Sequence, residues 1–192
     1  VVISPKEIGV SSRPDSPLLS QPETEKSQQT MRGVHLSESK TDSPDWELWA
    51  DQAFTTKEGT IWNLEKVKVK FFGENGMDYV VTGEKGIVNV ESKDIEINTH
   101  VVLVSSNGYT FKTEHIYYVD KYKTLKTPDP ILVVGGTGKN ELPMELKSLG
   151  MIIRLKEDMV RFLENVKSKR KTNENEFVYI ESNAAEMYST SK

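Results

Sequence analysis

Few residues in this chain have the type and spacing that chemistry needs. The most suggestive run is ILVVGGTGKN at 131–140, an apolar strand leading into a glycine-rich turn with a lysine. A phosphate-binding loop needs a glycine, four residues, then Gly-Lys-Ser/Thr opening a helix. Counting back from Gly138-Lys139, the first glycine's position holds Val133, and Asn140 replaces the hydroxyl that would reach magnesium. Pro143 then follows at once, so the run reads as a connection between strands. The three histidines, His35, His100 and His115, never occur at the close spacings that set two ligands on one face, so no metal site is expected. Glu84, Asp94 and Glu96 fall on the wet phase of strands or in turns, which suits a solvated face better than an acid–base pair. There is no GxSxG elbow and no cysteine, which removes disulfides, thiolate nucleophiles and cysteine metal ligands. Lys66, Lys68 and Lys70 alternate in EKVKVKFF and could meet an anion, but a solubilising sheet face is the simpler reading. The residues thus predict no catalytic group, no cofactor and no enzyme.

What remains is the scaffold. The chain has 192 residues, 36% hydrophobic and 28% charged, with a formal net charge of −4. That charge lacks the basic excess of a nucleic-acid binder, so no nucleic-acid partner is expected. No apolar run approaches the roughly 20 residues a membrane helix needs. Residues 1–30 are rich in Pro, Ser, Gln and Glu without a period, and predict a flexible linker. From WELWADQAF onward the pattern is one of strands. Trp46, Leu48 and Ala50 alternate with Glu47, Trp49 and Asp51, and Val67, Val69 and Phe71 alternate with the lysines. GENG, ESKD and SSNG are turns between further strands. Strands at this spacing without intervening helices mean an all-β sandwich or barrel of hairpins across 31–170. Residues 171–192 read as a polar tail or a loose edge strand.

Residues 141–171 are ambiguous, because Ile152, Leu155, Met159, Phe162, Leu163 and Val166 also fit a helix face. An internal repeat decides in favour of strands. Gly86 opens GIVNV, a charged turn and IEINTHV, while Gly150 opens GMIIRL, a charged turn and MVRFLENV. A strand hairpin is therefore expected over 149–168.

In order, these motifs resemble the LptC family. The resemblance runs through Trp46-x-Leu48-x-Ala50, Gly86, Val101, Asn107-Gly108-Tyr109, Thr113, Tyr117-Tyr118 and Thr127, and covers about residues 31–168. One departure is INTHV, where the family tends to carry a glycine before the valine, so that turn is expected to differ. The resemblance implies an open, twisted antiparallel β-jelly-roll of the OstA/LptA-like kind. It implies a periplasmic carrier anchored to the inner membrane by an amino-terminal helix absent from this chain. Its partners would be lipopolysaccharide, held by the lipid A acyl chains, an inner-membrane ABC transporter complex and an LptA-like periplasmic bridge protein. By strand alternation the lipid-facing residues would be Leu48, Ala50, Val67, Val69, Phe71, Ile95, Ile97, Val101, Leu103, Phe111, Ile116 and Tyr118. A slot open to water would let Val69→Asp or Leu103→Asp fold while repelling acyl chains. MVRFLENVKS, as an exposed end strand, would add a partner's strand around Arg161, Glu164 and Lys167. The rival reading is a structural or adhesin-like β-sandwich interaction domain with a closed core.

Overall fold

The computed structural model describes residues 29–39, 44–55, 59–73, 76–135, 143–173 and 176–188. Apart from Gln29 and Thr30, the linker expected over 1–30 lies outside the described residues, as does the GTGK turn. The strands are β1 (Gln29–Ser39), β2 (Pro44–Thr55), β3 (Ile61–Phe71), β4 (Tyr79–Asn89), β5 (Ile95–Ser105) and β6 (Thr110–Val119). A 3-10 turn over Asp120–Tyr122 precedes β7 (Thr124–Gly135), β8 (Met144–Arg154), β9 (Met159–Asn173), β10 (Glu176–Ser182) and β11 (Ala185–Tyr188). Each strand from β1 to β10 pairs antiparallel with the next, and β11 returns to β9. The fold is all-β, as the alternation required. The ambiguous segment is the β8–β9 hairpin, paired from Met144↔Arg170 to Arg154↔Met159.

An open sheet this wide can bury one face only by folding over on itself. The device is a break in alternation midway along the strands. β3 buries Leu64, then Val67, Val69 and Phe71, and the change of face falls at Lys66, which takes a left-handed φ of 52°. β5 buries Ile95 and Ile97 and resumes at Val101, after Thr99 and His100 at φ 68° and 54°. β8 and β9 turn at Gly150 and Asn165, φ 77° and 51°. The ladders shift register along the same line, between Thr82/Lys85, Asn98/Val101, Lys112/Tyr117, Thr127/Pro130 and Lys147/Leu149. Bulges bend a strand, and a row of them bends the whole sheet into two leaves. The ring of Phe71 on β3 lies 4.6 Å from that of Tyr118 on β6. In a flat sheet three spacings of about 4.8 Å would separate those strands. The result is an open, jelly-roll-like β-roll with a single apolar interior between its leaves.

The left-handed pair Thr99–His100 falls within INTHV, the turn expected to differ. A β-branched residue at positive φ is strained, and left-handed backbone costs an L-residue about 1–2 kcal/mol. Thr99→Gly should therefore stabilise the domain by about 1 kcal/mol, read as a higher urea midpoint at unchanged slope. A lower midpoint would show that the Thr99 side chain more than offsets its backbone.

The segment read as a polar tail or a loose edge strand carries strands β10 and β11. Consequently β9 is not an exposed end strand, for its outer edge is paired with these two.

Candidate functional site

All twelve residues expected to face inward do so. None is more than 6% exposed, and all belong to one apolar cluster. Register explains how residues so far apart in sequence converge. Leu48 faces Val69, which faces Val81, then Leu103, Phe111, Val133 and Leu146, an apolar row crossing β2 to β8. In the other leaf Val88 faces Ile95, then Tyr118, Leu125, Ile153, Val160 and finally Met187 of β11. Each row runs across the strands, so a linear apolar ligand lying along it would meet one side chain per strand. The leaves meet side chain to side chain, and Val69 and Leu103 have no path to water. An aspartate at either position would be buried without a partner in the closed roll, so a loss of stability is expected there in place of the tolerance an open slot would allow.

Polar contacts close the leaves along the side opposite the bend. Lys123 follows β6 in one leaf and donates to Asp45 of β2 in the other, Nζ–Oδ2 3.0 Å, and to Asp120, Oδ1 2.6 Å. The Tyr118 hydroxyl donates to Asp120 at 3.2 Å, and burial, then the Asp120 charge, raises that phenol above its usual range. Nearby, Asp158 lies buried with its Oδ1 unpartnered by protein, beside Tyr79, whose phenol is likewise raised by burial and by Asp158. A void of about 10 Å³ there is bordered by Tyr79, Phe111, Asp158 and Met187, room for one water.

The bend carries its own polar line on the outside. His115 meets Asp129 at 2.6 Å and His100 meets Glu84 at 2.7 Å. The Glu84 hydrogen bond, then the charges of Glu84 and Glu114, raises the exposed His100 imidazole above its ordinary 6.5. The stability this pair contributes is complete below the unfolded value near 6.5 and is lost as pH rises through the higher folded value. Glu84→Gln should lower the His100 titration midpoint, followed by NMR, and leave no melting difference at pH 9. An unchanged midpoint would contradict the pairing. A hollow of about 590 Å³ beside this line includes Val101 but is bordered mainly by outward residues such as Val102, Lys112 and Leu132.

The alternating lysines are engaged on the outer face. Lys66 pairs with Asp51 at 3.2 Å, Lys70 with Asp78 at 3.0 Å, and Lys68 lies over the Trp49 ring. Arg161, Glu164 and Lys167 are exposed along β9, apart from the apolar interior. Arg161 faces Glu186 of β11 at 3.8 Å, and Lys167 faces Glu181 of β10 at 3.5 Å. Sequence reading missed Val81, Val133 and Leu146 in the first row and Val88, Leu125, Ile153, Val160 and Met187 in the second. Their signal was strand alternation, plain in β4 and β7 and obscured by the competing helix period only in β8 and β9.

The family model described as lipopolysaccharide-assembly, LptC-related, matches residues 9–171. No curated protein matches the chain.

Proposed function

The chain belongs to the LptC family of lipopolysaccharide-assembly proteins, and we propose that it carries lipopolysaccharide by its acyl chains between the two leaves of the roll. The family is one of transport components, facing the periplasm, rather than of enzymes. The finer steps are our reading. Lipid A chains enter along the side closed by Lys123 and Asp45, lie on the two apolar rows, and leave toward a periplasmic bridge protein. The load arrives from an inner-membrane ABC transporter complex.

The observation that carries this reading is the pair of facing rows, unbroken across β2 to β8 in one leaf and β4 to β11 in the other. Each acyl CH₂ removed from water contributes about 0.8 kcal/mol, so a chain of about a dozen carbons contributes roughly 10 kcal/mol. That contribution offsets part of the cost of parting the leaves, and the remaining chains of a lipid add to it. Sheet edges supply the partner contacts, since unpaired backbone groups accept another protein's strand.

The rest state is closed, which is also what a domain with a purely structural core would show. Purification from intact envelopes followed by lipid extraction and mass spectrometry separates the two. Lipid A species in amounts comparable to the protein are expected. Protein free of lipid A, under conditions that retain it on a known carrier, would return the chain to the structural reading.

A further inference from the structure

We propose that residues 176–188 form a strap that holds the outer edge of β9, and that a partner's strand can pair there only after the strap is released. This rests on the reading of β9 as an edge for strand addition.

Coverage is nearly complete. β10 lies opposite Val166–Asn173 and β11 opposite Met159–Phe162, leaving only the stretch around the left-handed Asn165 outside the pairing. Arg161 lies opposite β11 and Lys167 opposite β10, with Glu164 in the gap between, so the strap covers most of the backbone that a partner's strand would need. The family match ends at residue 171, so the whole strap, from Glu176, lies beyond the matched part of the chain.

The strap is weakly held. Every residue of β10 is exposed, and Phe177, Val178, Tyr179, Ile180 and Tyr188 are 44–68% exposed. Little apolar area is therefore withdrawn from water by its docking. Its ion pairs to Arg161 and Lys167 are long and solvated, the kind that contributes least. Only Ala185 and Met187 pack on the interior. A segment with a paired backbone but little burial opens at low free energy. Its tether gives it an effective concentration in the millimolar range, so it excludes a dilute competitor yet yields to a strand presented in register with many contacts. Release also withdraws Met187 from the void beside Tyr79 and Phe111, uncovering one end of the apolar interior. Strand exchange at β9 and access to the lipid rows are thereby coupled.

The chain has no cysteine, so an introduced pair can lock the strap. Ser168→Cys with Ile180→Cys joins residues that face each other across β9 and β10. Val178→Pro with Tyr179→Pro opens it in the full chain, because one of two successive N–H groups points at β9 whatever the ladder phase. Photo-crosslinkers at Arg161, Glu164 and Lys167 then report pairing with the purified periplasmic bridge protein of the same organism. Relative to the parent, the proline pair should raise crosslinking at least about tenfold. The oxidised lock should abolish it, and reduction should restore it. Equal crosslinking in parent, locked and opened chains overturns the strap while leaving β9 as the edge. So does capture by the locked chain through crosslinkers at Phe177 and Tyr179, which would place the partner on β10. No crosslink at β9 in any chain, with capture near Trp46 instead, rejects the edge reading itself.

Discussion

Leu103→Asp is expected to destabilise the domain by about 3–5 kcal/mol at pH 7, and by less at pH 4. Leu103 is 1% exposed, with Val81 on one side and Phe111 on the other, so a carboxylate there has apolar neighbours in both directions. Burial raises the folded-state value of such a group above the unfolded value near 3.9. The penalty therefore grows as pH rises from about 4 toward the folded value and is smallest where the acid is neutral in both states. Against a typical total of about 5–15 kcal/mol, the variant stands close to global unfolding at neutral pH. Melting measured beside the parent at pH 4 and pH 7 checks this. The gap should widen with pH. A variant as stable as the parent at both would mean that the leaves stand open in solution.

Phe71→Ala is expected to cost a similar amount, about 3–5 kcal/mol, but without dependence on pH. Phe71 is wholly buried, lies between Trp46 and Tyr79 in its own leaf, and reaches across to Tyr118. Removing its ring deletes both the transfer free energy and one of the contacts that join the leaves. Urea unfolding would report it as a lower midpoint. A loss under about 1 kcal/mol would show that the leaves collapse onto the gap, and hence that they move easily against each other.

Period-two alternation was a strong guide to this fold, because a strand with one wet face exposes its phase in every second residue. That is why alternation alone assigns Leu48, Val67, Val69, Phe71, Ile95, Ile97, Val101 and Leu103 to the inward face. The Gly86/Gly150 repeat also marked corresponding places, although its two glycines serve different ends. At Gly86 a Cβ would stand 2.8 Å from Val67 Cγ2, whereas Gly150 takes a left-handed φ of 77°. What alternation hides is the bend, since a bulge resets the phase without a composition signal. β10 was hard to read for the opposite reason. Phe177, Val178, Tyr179 and Ile180 are apolar on both phases and bury neither. The Lys123–Asp45 contact joins residues distant in sequence, and nothing local in either announces the other.

Alternation also supplies an internal control for lipid. A benzophenone amino acid placed at Phe71, Phe111 or Tyr118 points into the roll, and at Lys70, Lys112 or Tyr117, one residue earlier or later along the same strands, it points outward. Irradiation in intact envelopes should join lipopolysaccharide to the chain at the three inward positions and at none of the outward ones. Equal labelling on both faces, or labelling confined to the outside, would contradict carriage of lipid between the leaves.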